Sequence, residues 1–115
     1  MDSILTSIKK LLGIADEYTT FDTDLIIHIN SVFMILTQLG VGPAKGFSIE
    51  DKYSEWSDFI PDSEKCNLVK SYMLLKVKLL FDPPLSSAVI ESINRQITEF
   101  EFRLNIAADT TSATS

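Results

Sequence analysis

The sequence predicts an all-α protein: a small bundle of about four helices, with a long loop between helices two and three and a flexible C-terminal tail. Two observations carry this. Apolar residues recur at steps of three and four in separate segments bounded by capping residues, glycines and prolines. Residues 67–104 then read as a tight helical hairpin. Its first arm, Leu68-Val69-Lys70-Ser71-Tyr72-Met73-Leu74-Leu75-Lys76-Val77-Lys78-Leu79-Leu80-Phe81, is apolar on most sides and runs into Asp82-Pro83-Pro84. Its second arm starts at Leu85-Ser86-Ser87.

The first helix is short. Ser3 can cap it, Ile4, Ile8 and Leu11 share a face widened by Leu5 and Leu12, and Gly13 marks its end. Residues 15–21 read as a connector. Asp22 or Thr23 can cap the second helix, with Asp24 placed well for the helix dipole. Leu25, Ile29, Val32, Leu36 and Leu39 form its stripe, and Gly40 and Gly42-Pro43 stop it.

The connection over 40–61 is long for so small a domain. It carries Phe47, Ile49, Tyr53, Trp56, Phe59 and Ile60, apolar anchors of the kind that functional loops use. Residues 47–49 suit a short extended piece, and 54–59 one or two helical turns. Asp62 caps the third helix, and Asp82 closes it because a residue before proline avoids the helical region. Ser86 or Ser87 caps the fourth, whose stripe is Val89, Ile93, Ile97, Phe100 and Leu104. Glu91, Arg95, Glu99 and Arg103 alternate in sign along a solvated row, each adjacent pair supporting the helix by ~0.2–0.5 kcal/mol. Residues 1–106 thus read as one helical domain, and 107–115, which lack apolar payload, as a tail that is disordered when free.

Composition narrows the function. The 115 residues suit one domain with a working core. A formal net charge of -6 argues against a surface built to grip phosphate. A lone cysteine, Cys66, predicts a small buried side chain and a reducing compartment such as a cytoplasm. The amino terminus lacks a signal-peptide pattern, and no apolar run approaches the ~18 residues of a membrane span.

Catalytic chemistry is not apparent. His28 is the single histidine, at the edge of the second helix's stripe, so a histidine-cluster metal site is excluded. Glu50-Asp51 and Glu99/Glu101 lack the ligand count of a calcium loop. Four glycines form no phosphate-cradling motif, and no nucleophile elbow is present. The sequence therefore predicts no enzyme, no metal and no cofactor.

Three helices carry a second apolar pair where a lone domain should be polar. These are Ile27 and Met34 on the second, Leu74 and Phe81 on the third, and Phe102 and Ile106 on the fourth. Either the long loop and first helix cover them, or at least one face is buried against another copy of the chain. Lys76, inside the apolar arc of Val69, Tyr72, Met73 and Leu80, reads as a snorkelling stem or as half of an ion pair across a subunit boundary.

The order of elements, the loop with Phe47 and Trp56, the hairpin over 70–84 and the helix bearing Ile93-Asn94-Arg95-Gln96-Ile97 and Glu99-Phe100-Glu101-Phe102-Arg103-Leu104 resemble a known family. It is the small head–tail connector (adaptor) proteins of long-tailed bacteriophages, and the resemblance covers about residues 3–107. The segment 72–85, with its Asp-Pro-Pro stop, is the most telling piece.

The resemblance implies an all-helical structural protein of the virion neck, present in the host cytoplasm during assembly. It forms a ring of about a dozen copies beneath the portal and joins the portal to a tail-completion or stopper protein. DNA passes through without specific binding, and no membrane is involved. The resemblance also implies portal contact through the end of the last helix and the tail, here Phe102, Arg103, Ile106, Ala107, Asp109 and Thr110. Candidate subunit contacts are Ile27, Met34, Phe47, Ile49, Trp56, Leu74, Lys76 and Phe81. The competing reading is a small helical interaction module, such as an assembly chaperone or regulatory adaptor.

Overall fold

The computed structural model describes residues 3–114, with side chains through residue 108. Five helices follow one another: α1 (Ile4–Leu11), α2 (Asp22–Gln38), α3 (Trp56–Phe59), α4 (Ser63–Phe81) and α5 (Ser87–Thr114). No sheet occurs among the described residues; a single antiparallel bridge joins Ser3 and Glu55. The helix beyond the expected four is α3, a single turn inside the loop.

Most ends form where the capping residues place them. Ser3 Oγ accepts from the Thr6 amide at 3.2 Å. Asp62 accepts from the amides of Glu64 and Lys65 at 2.9 and 3.1 Å. Ser86, rather than Ser87, caps α5 by accepting from the Val89 amide, and Asp82 is the C-cap of α4. Helix α2 is the exception. Its N-cap is Phe21, with no side-chain cap, because Asp22 is the first helical residue and its carboxylate turns to Lys9 instead.

The α4–α5 turn makes these helices antiparallel, and α4 packs against both α2 and α5. Phe21, at the start of α2, meets Phe81, at the end of α4, edge to face at 5.2 Å. At the other end the Asn105 Nδ2 donates to the Leu39 carbonyl at 3.5 Å. Hence α2 and α5 run in the same direction on either side of α4. The molecule measures 43 × 36 × 20 Å, and its short axis equals two helix diameters. One layer is α2, α4 and α5, and α1 with the 40–61 loop forms much of the other.

The loop is a folded element. Asn30 clamps it to α2, its side-chain amide donating to the Ile49 carbonyl at 2.9 Å and its Oδ1 accepting from the Ile49 amide at 2.8 Å. The Trp56 indole donates to Ser7 Oγ on α1 at 3.2 Å. Phe33 anchors the underside, with Phe47 and Phe59 rings at 5.0 and 4.7 Å. Gly42 lets the chain pass this cluster: its φ is +83°, and a Cβ there would overlap the Phe59 ring.

The stripes of α2 and α5 form the core through Leu25, Ile29, Val32, Leu36, Ile93, Ile97 and Leu104. Several positions differ from the sequence pattern. Leu11, the last residue of α1, and Tyr53, expected as a loop anchor, are exposed at 55% and 75%. Leu80 and Val89 are exposed, because each lies near the hairpin turn at the bundle's end. Phe33, off the expected stripe, is fully buried because the loop covers it. Helix α5 also continues to Thr114 instead of stopping near Ile106. Alanines at 107 and 108 propagate an existing helix at little cost, and both are partly buried.

Candidate interaction surfaces

The expected apolar pairs divide clearly. On α2, Leu25, Val32 and Leu36 point into the core, and a rotation of roughly half a turn puts Ile27 and Met34 on the opposite side. Met34 is 66% exposed and Ile27 57%. On α5 the same geometry turns Phe102 and Ile106 away from Ile93, Ile97 and Leu104, and Phe102 is 66% exposed. The loop does not cover either pair. Leu74, Lys76 and Phe81 are half-buried on α4. Phe81 leans on Phe21, so its ring is largely spent on its own chain.

The loop candidates lie elsewhere. Ile49 and Trp56 are buried in the chain's own core, and Phe47 is half-buried against Phe33 and Phe59. Their side chains hold the loop down and leave little to offer a neighbour.

Among the C-terminal candidates, Phe102, Arg103 and Ile106 face solvent, while Ala107 is half-buried. Arg103 bonds Glu99 one turn earlier at 2.5 Å. The side chains of Asp109 and Thr110 lie outside the described set. Ala107 also lines a mainly apolar cleft of about 440 Å³, with Val41, Pro43, Phe59, Ile60 and Leu104. The cleft sits where the end of α2, the start of α4 and the end of α5 converge, and Asp62 and Lys65 supply its polar rim.

Two features escape a sequence reading. Lys9 is 1% exposed, and its ammonium donates to the carbonyls of Asp16 and Tyr18, both at 2.8 Å. The Asp22 carboxylate stands 2.9 Å away. This cage fixes the α1–α2 connector, whose Tyr18 and Phe21 then stack toward Phe81. A lysine in the last turn of a helix reads as a dipole partner, and carbonyl acceptors leave no trace in a sequence.

The second feature is Tyr72, fully buried, whose hydroxyl donates to Glu101 Oε2 at 2.7 Å and ties α4 to α5. Burial, then the hydrogen bond to Glu101 and its charge, push the tyrosine well above its ordinary 10.0. A raised folded value gives stability that is fully present below about pH 10 and lost as pH rises through the folded value. Tyr72→Phe should cost about 1.5 kcal/mol at pH 8 by loss of a hydrogen bond to a charged acceptor. The gap from wild type should narrow above pH 10, because only the tyrosine can ionise in the unfolded chain. Urea midpoints at pH 8 and 11 check both statements.

Among the described residues no group of three or more His, Cys, Asp or Glu is placed to hold a metal ion. No described helix is long and apolar enough to cross a membrane. Cys66 is buried, as expected.

A family model described as phage connector protein matches residues 4–111. No curated protein and no solved structure matches the chain. The match spans every helix of the bundle, from the start of α1 to the last turn of α5, and on that extent the chain belongs to the phage connector protein family.

Proposed function

We propose that this chain is a structural adaptor of the virion neck. It assembles as a ring of about a dozen copies below the portal of the DNA-filled head, and joins the portal to a tail-completion or stopper protein. The family match over 4–111 carries this reading. The uncovered Ile27 and Met34 pair on α2 supplies side chains for contacts between subunits, in a molecule thin enough to pack as a tile. The net charge of -6 suits a channel that DNA passes without adhering, since carboxylates repel phosphates.

The end of α5 is the portal contact in this reading, through Phe102, Arg103 and Ile106 and the segment beyond. Deleting residues 109–115 keeps Ala107 and Ala108 at the cleft, so the helical fold should persist by circular dichroism. Binding to the cognate portal protein should weaken by tenfold or more. An unchanged affinity would remove the terminal segment from the contact. The function itself is tested by joining in vitro. Filled heads and tails lacking this protein should stay separate and should join when it is added. Normal joining in its absence contradicts the proposal.

A further inference from the structure

We draw no further inference here: the strongest candidate, the apolar cleft where the ends of α2 and α5 meet the start of α4, is an open apolar surface, and nothing in the structure shows what covers it.

Discussion

Phe33→Ala is expected to destabilise the protein by about 4 kcal/mol, a large share of the ~5–15 kcal/mol that holds a domain of this size. Phe33 is fully buried, and its ring meets Phe47, Phe59 and Trp56, three anchors of the 40–61 loop. Truncation removes the floor of that cluster. The Asn30 clamp still holds Ile49, so the loss should appear as a cavity with faster amide exchange in the loop. Met34→Ala, one residue along and facing solvent, should change stability by under about 0.5 kcal/mol. Urea denaturation of the two variants measures the contrast. Comparable losses would mean that the loop does not cover α2 as described.

Lys9→Met is expected to cost about 3 kcal/mol, roughly 10–15 °C in melting temperature. The stem is replaced by a side chain of similar length, so packing is nearly kept. The ammonium is lost from two carbonyls and from an Asp22 oxygen that is shut from solvent with no aligned hydrogen bond of its own. An uncompensated buried charge is costly, and here the strain falls on the connector that carries Tyr18 and Phe21. Asp22→Asn in the same chain should restore part of the loss, because it removes the charge the lysine balanced. A loss below about 1 kcal/mol for Lys9→Met would show that the cage relaxes or hydrates without effect.

Local chemistry made much of this fold legible. Ser3, Asp62 and Ser86 cap where short polar side chains before an apolar run should cap, and Asp82 ends α4 because proline follows it. The stripes of α2 and α5 are legible because helical periodicity reports which side faces a neighbouring helix. What periodicity cannot report is where a loop lies. Phe33 is buried by the loop, which also turns Ile49 and Trp56 inward, and Asn30 holds it through backbone atoms that any residue carries.

Lys9 is hidden for the same reason, since two of its three partners are carbonyls of a connector. Asp22 was open to reading as a cap, and lost that role to the buried ammonium. The continuation of α5 to Thr114 was masked by composition. Residues 107–114 lack apolar side chains large enough to make a stripe, yet alanine extends a helix that is already formed. The interaction surfaces were only half legible. The outward pairs on α2 and α5 follow from the helical wheel, but the 440 Å³ cleft is assembled from three distant segments that no pattern links.

The adaptor reading is tested most directly by imaging the cognate portal protein with and without this chain. Class averages are predicted to show an added ring of about a dozen copies on the tail-facing end of the portal, coaxial with its channel. Portal particles with no added density, at concentrations well above those of assembly, would contradict the account.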